Sequence, residues 1–182
     1  SIFLGTCLSA DELMYAIESD ERDPENILRD SFRNPYETLS FFELNPSMVV
    51  VELSPGRGWY TEILANFLST PGQLIAAHFD KNTTNNYLKK MRQNFEEKLN
   101  SSSIYKNVEL VGLYSDPESV DAVLTFRNLH NWIGSSMDII FSNSYSALKP
   151  GGIFGVVEHR AKEGTSIELS LIHISEPTRR HL

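Results

Sequence analysis

VVVELSPGRGWYTEILANFL, residues Val49 to Leu68, decides how this chain folds. The opening apolar run, from Met48 to Leu53, reads as a strand covered on both faces, because it hardly alternates. SPGRG then breaks the run, and Gly56 and Gly58 permit a tight turn. From Thr61 to Leu68 the period changes to that of a helix, with Ile63, Leu64, Phe67 and Leu68 on its inner face. A strand, a glycine turn and a helix in that order suit a nucleotide-like ligand. Open α/β sheets hold such ligands outside the carboxyl ends of their strands. Helix-terminal N–H groups after Gly58 would face it. The turn is GRG and lacks the third glycine of GxGxxG.

Outward from this unit the same alternation continues. Pro71-Gly72 is a turn, and Gln73 to His78 is the second strand. Thr83 to Leu99 is a long helix, with Tyr87, Leu88, Met91, Phe95 and Leu99 at helical spacing and a solvated opposite face. Val108 to Leu113 and Asp121 to Phe126 are the third and fourth strands, joined by a crossover short enough to hold one turn of helix. Met137 to Leu148 is a helix stopped by Lys149-Pro150-Gly151-Gly152, and Ile153 to Val157 is the fifth strand. Upstream, Asp11 to Ser19 reads as a short amphipathic helix. Asp23-Pro24 suits a helix start, and Asn34-Pro35 caps a helix from Tyr36 to Leu44. These pieces form a helical lead-in packed on the sheet. The fold class is α/β, a doubly wound and mostly parallel sheet.

Composition narrows the function. The chain has 182 residues, enough for one domain with a sizeable core. Its net charge is −8 and no Lys/Arg stripe is present, which disfavours nucleic acid as a partner. Cys7 is the one cysteine, so an internal disulfide or a cysteine-rich metal site is excluded. No apolar run reaches the length of a membrane span. Oligomeric state is not legible.

Both ends stand apart. SIFLGTCLSA, residues 1–10, reads either as the tail of an export signal with cleavage near Ala10 or as the first turn or strand of the domain. Localisation stays open between cytoplasm and periplasm accordingly. LSLIHISEPTRR, from Leu169 to Arg180, resembles a translated sequencing adapter read through in frame. The domain is therefore expected over residues 11–168, with 169–182 a non-native tail. That tail carries two arginines and one glutamate, so the charge without it is −9. His173 and His181 leave any metal-site argument with it.

ELSPGRG and SALKPGGIFGVVEH together resemble the class I S-adenosylmethionine-dependent methyltransferases, whose first motif is an acid before a Gly-rich turn and whose fifth strand follows LKPGG. RNPYETLSFFELNPSMVVVELSPGRGWYTEIL, FRNLHNW and ALKPGGIFGVVEHRAKEG more narrowly resemble a bacterial group of predicted methyltransferases that often carry a signal peptide. The resemblance covers residues 22–164. It implies a Rossmann-like sheet with two further strands after the fifth, beyond Glu168, so that the sheet here is truncated. It also implies S-adenosylmethionine as cofactor.

The resemblance places the site residue by residue. Glu52 would meet the methionine end of the cofactor, and the turn carrying Ser54, Gly56 and Gly58 would pass under the methionine and ribose. Ser54 stands where the family has its first glycine; it fits if its φ stays negative, and its hydroxyl can bond the ligand. His78 replaces the family's ribose-binding acid, with Asp80 two residues on. Tyr114 and Asp116 would border the adenine. FRNLHNW puts Arg127, Asn128 and His130 at the catalytic edge, with His130 as general base because its ordinary pKa is near neutral. Trp132 either stacks on a substrate or closes the core. Glu158 and His159 either face the acceptor or join His130 around a metal, although their spacing is unlike a compact metal motif and no metal is expected.

The implied reaction is methyl transfer to a small molecule through oxygen, carbon or sulfur, since no NPPY motif is present. Two other readings stay open. One is a non-catalytic protein of the same fold, motivated by Ser54 and His78. The other is a nicotinamide-dependent oxidoreductase, which the missing third glycine and His78 disfavour.

Overall fold

The computed structural model describes residues 3–113, 119–159 and 164. Five strands form one sheet: β1 (Val49–Leu53), β2 (Gln73–His78), β3 (Val108–Gly112), β4 (Val120–Phe126) and β5 (Leu148–Val157). Every neighbouring pair is parallel, in the order β3-β2-β1-β4-β5. The chain winds outward from β1 to β3, then returns to β4 on the other side. The place where the order reverses lies between β1 and β4, where such sheets hold ligands. The expected doubly wound α/β sheet is therefore the observed one. The crossover expected to hold a turn of helix, and the tail from Leu169 onward, fall outside the described residues.

Strand alternation divides the core into two layers. Val50, Leu74, Ala122 and Leu124 face a cluster that includes Ile63, Leu64 and Phe67 of helix α5 (Trp59–Phe67). Val51, Leu53, Ile75, Ala77 and Val123 face the opposite cluster, with Trp132 and with Ile140 and Ala147 of α7 (Ser135–Ala147). Trp132 thus closes the core and is not a stacking platform for substrate. The lead-in consists of α1 (Phe3–Ile17), α2 (Pro24–Ile27), α3 (Asp30–Arg33) and α4 (Pro35–Phe41). Leu13, Ala16, Ile17, Leu39 and Phe42 from this segment join the α5 layer.

Several boundaries differ from the sequence reading, each for a local reason. The first helix begins at Phe3 rather than Asp11, so the stretch read as a possible export remnant is largely helical. Asn34 does not cap α4 with its side chain. It sits at φ 45 as the left-handed end of α3, donating its N–H to Asp30 O. Helix α6 (Asn86–Leu99) starts three residues late because Asn85 Oδ1 accepts from the N–H groups of Tyr87 and Leu88 at 3.0 and 3.3 Å. Of its expected apolar stripe only Phe95 is buried, while Tyr87 is exposed and Arg92 takes an interior place. The Arg92 guanidinium is satisfied there by Phe79 O at 2.9 Å and Glu96 Oε1 at 2.8 Å. LKPGG is not a simple turn, since β5 already pairs Leu148 with Val120 and shifts register before Ile153 meets Ala122.

One buried ion cluster joins the lead-in, α5 and α6. Glu62, in the first turn of α5, is fully buried and pairs with Lys98 of α6. Arg22 Nε lies 3.7 Å from its other oxygen, and Asn26 Nδ2 donates to Glu62 Oε1 at 2.7 Å. Arg22 also donates to Ile17 O at 2.6 Å and to both oxygens of Asp30 at 2.7 and 2.9 Å. Removing one member of such a cluster strands its partners in a low-dielectric interior. Glu62→Gln is therefore expected to cost about 3 kcal/mol of folding stability, read from urea unfolding. A loss too small to measure would show that the cluster is not a structural clamp.

Candidate active site at the carboxyl edge of the sheet

The turn after β1 is held from beneath. Ser54 N–H donates to Ala77 O at 2.8 Å, which extends the β1–β2 ladder by one rung. The backbone then turns through left-handed conformations at Ser54 (φ 51), Gly56 (φ 62) and Gly58 (φ 77). The expected negative φ at Ser54 is thus corrected: the chain reverses two residues before the first glycine. A side chain at Gly58 would press on Lys98 Cδ and Cε at 3.0 Å and on Phe95 Cε2 at 3.1 Å, so α6 requires glycine there. At Gly56 the same position is open. Gly58 begins α5 with no side-chain cap, which leaves first-turn N–H groups available to a ligand.

Glu52, one of the last residues of β1, is only 2 % exposed. Thr61 Oγ1 donates to its Oε2 at 2.6 Å. Burial pushes its pKa up to about 7, although the Thr61 bond and the Lys98 charge pull the other way. Beside it, Ser54 Oγ is buried with no hydrogen-bond partner among the described residues. A buried hydroxyl without a partner, two residues from a carboxyl that is costly to ionise, is bonding capacity that the described residues do not fill.

His78 does not offer its ring to a ligand as expected. Its side chain is buried, Nδ1 accepts the Phe79 N–H at 2.8 Å, and Nε2 faces Gly56 O at 3.3 Å. The Phe79 bond fixes the proton on Nε2, so both nitrogens are engaged by the chain. Burial lowers its pKa to about 4 and keeps the ring neutral. Its imidazole, stacked on Phe95 at 5.0 Å, supports the turn from below. Asp80 is exposed and uses Oδ1 to accept the Asn82 N–H at 2.8 Å. Tyr114 and Asp116 lie outside the described residues.

The end of β4 forms the opposite wall. Asn128 Nδ2 lies within hydrogen-bonding distance of Ser54 O and Phe126 O at 3.1 Å and of Leu53 O at 3.3 Å. It staples β4 to β1 at the point of reversal. Arg127 is held at φ 62, with its N–H donated to Val157 O at 2.6 Å. His130 is half-buried, and its Nδ1 meets Glu158 Oε2 at 3.2 Å. Glu158 is itself oriented by the His159 N–H, which donates to Oε1 at 2.8 Å. Among the described residues the partner of the His130 ring is Glu158, at Nδ1. No group of three potential metal ligands occurs among the described residues. The sequence reading missed Thr61 as partner of Glu52 and Lys98 as the floor of Gly58. Neither position carries a local signal, because both contacts arise only when helices meet strands.

No protein-family model matches the chain, and no curated protein matches it in sequence. Solved structures do. A SAM-dependent methyltransferase from Aquifex aeolicus superposes with a TM-score of 0.60 at 18 % identity, over 88 % of this chain and 79 % of that one. The fold is that of the Rossmann-like methyltransferases. DhpI, solved as a complex with SAM and HEP, gives 0.54 at 18 % identity over 90 % and 70 %. The mitomycin 7-O-methyltransferase MmcR gives 0.55 at 17 % identity over 90 % and 49 %. No helix among the described residues is long and apolar enough to cross a membrane.

The Glu52 environment has a measurable cost. A carboxyl with a folded pKa near 7 and an ordinary value of 4.5 binds its proton more tightly when folded. Its contribution to stability therefore falls as pH rises from about 4.5 to about 7, and is level above that. Glu52→Gln, which keeps the Thr61 bond, is expected to raise unfolding free energy by about 2–3 kcal/mol at pH 8 and far less at pH 4. Thermal or urea melts of both proteins at the two pH values read this directly.

Proposed function

We propose that the chain is a methyltransferase that uses S-adenosylmethionine and acts on a small molecule. The observation that carries this reading is Glu52, a fully buried carboxyl at the reversal point of the sheet, beside the orphaned Ser54 hydroxyl. The likeness of the fold to methyltransferases supports the same cofactor. When bound, the cofactor supplies an electrophilic methyl group on a sulfonium.

Everything else is the work of this chain. Glu52 pairs with the ammonium of the amino-acid end, and Ser54 Oγ bonds a neighbouring polar atom. The N–H groups that open α5 and the unobstructed Gly56 let the backbone lie against the ligand. Asn128 keeps the β1 and β4 ends together, so that both halves of the site share one frame. His130 accepts the proton released from the acceptor at Nε2, while Glu158 holds Nδ1–H and fixes the ring. Arg127 stands beside them as a charged contact for the acceptor. His78 takes no direct part; it shapes the turn, which leaves Asp80 as the acid of this segment free to approach the ribose.

Calorimetric titration with S-adenosylhomocysteine tests the reading without knowledge of the acceptor. The chain is expected to bind it, to lose at least tenfold in affinity in Glu52→Ala, and to give no heat with NAD. Binding of NAD in place of S-adenosylhomocysteine would return the oxidoreductase reading, and binding of neither would leave a non-catalytic relative of the fold.

A further inference from the structure

A large cleft lies beside the candidate active site and outside it. It has a volume of about 990 Å³ and runs between the lead-in and α6. Asp23, Glu25 and Arg29 stand on one side, and Tyr87, Lys90, Met91 and Asn94 on the other. The last four recur at the spacing of one helix face, so that wall is a single surface of α6. The cleft meets the candidate active site at the turn carrying Gly56 and Arg57, while Asn128 and His130 are not among its walls.

The lining disfavours two common kinds of ligand. Sites for apolar molecules are lined mainly by hydrophobic side chains. Most residues around this cleft are instead charged, amide or hydroxyl side chains. A cleft that concentrates ions carries one sign of charge. This one carries five basic and five acidic side chains, so it favours neither sign. Donors and acceptors in such balance suit a ligand whose own groups do both, and the hydroxyl is that group.

Two buried atoms at the base of the cleft match the same group. Arg22 Nε and Glu62 Oε2 have no hydrogen-bond partner among the described residues. They lie 3.7 Å apart, too far for a direct bond. A single hydroxyl oxygen satisfies both, accepting from Nε–H and donating to Oε2. Around them, the side chains of Arg29, Arg57, Lys90, Asn94 and Glu97 spend no hydrogen bond or ion pair on the described residues. Tyr87 adds a ring that is 70 % exposed.

We propose that this cleft binds a polyhydroxylated molecule of the saccharide class. A sugar presents hydroxyls around its rim and C–H groups on its face, and the exposed Tyr87 ring is an apolar platform for that face. The ligand is additional to the cofactor and the acceptor of the methyltransferase reading, and the proposal does not depend on that reading.

Nuclear magnetic resonance on the isotope-labelled full chain tests it. Maltose, cellobiose, lactose and chitobiose are titrated in turn, with inorganic pyrophosphate as the anionic control. At least one sugar is expected to shift the amide signals of Arg57, Asn94 and Lys98 and to leave that of Gly151 in place. Y87A and N94A, both at exposed positions, are expected to weaken that sugar at least tenfold, whereas Y87F keeps the ring and retains it. Unchanged spectra of the free variants exclude unfolding. Contacts to neutral hydroxyls also make the affinity insensitive to added salt. Absence of a shift with all four sugars, or shifts that both alanine variants leave intact, overturns the proposal. Pyrophosphate moving the same signals where the sugars do not identifies an anion site and overturns it as well.

Discussion

The ionic contact between Glu62 and its two cations holds the working parts of this molecule in register. Glu62 sits in the first turn of the helix that follows the glycine turn, so its contacts anchor the start of that helix. Arg22 reaches it from the lead-in and Lys98 from the neighbouring crossover helix. Lys98 serves twice, since its methylene chain also forms the floor under Gly58. A single buried carboxylate thereby couples three segments far apart in sequence. Its negative charge is also favourably placed near the start of the helix, where the backbone dipole presents its positive end.

Two other buried titratable groups have a different character. Glu62 is compensated by cations, whereas Glu52 and His78 are carried in the interior closer to their neutral forms. Glu52 takes a bond from Thr61 at the edge of the sheet, near the unpartnered Ser54 hydroxyl, while His78 has spent both nitrogens on the chain. The same physical cost, burial of a polar group, leaves a candidate ligand contact in one case and a structural prop in the other. What separates them is whether the surrounding backbone supplies the partners. Asn128 repeats the lesson at the β4 end: a polar side chain read as catalytic is largely engaged with carbonyls of the framework.

Much of the fold was legible because buried parallel strands write themselves as short apolar runs. β2 was read to the residue, and the order of elements left a doubly wound sheet as the natural solution. Helix ends were less legible, since they are set by single side-chain caps such as Asn85 or by reversals such as Asn34. The site was legible by position and less so by role. Glu52, Ser54 and the glycines lie where the motif puts them, but the left-handed φ of Ser54 depends on the rung it makes with Ala77. The inward-turned His78 ring packs on Phe95, seventeen residues away and on a helix rather than the sheet. Pairings of that kind have no local spelling. Glu158 beside His130 likewise joins residues on two elements whose adjacency follows from the β4–β5 register.

The raised pKa of Glu52 has a consequence for energetics as well as for recognition. Near neutral pH this carboxyl carries its proton for a substantial part of the time. A cation seated against it must first expel that proton into solvent. Association is then a proton exchange, and the heat it evolves includes the ionisation enthalpy of whichever buffer collects the proton.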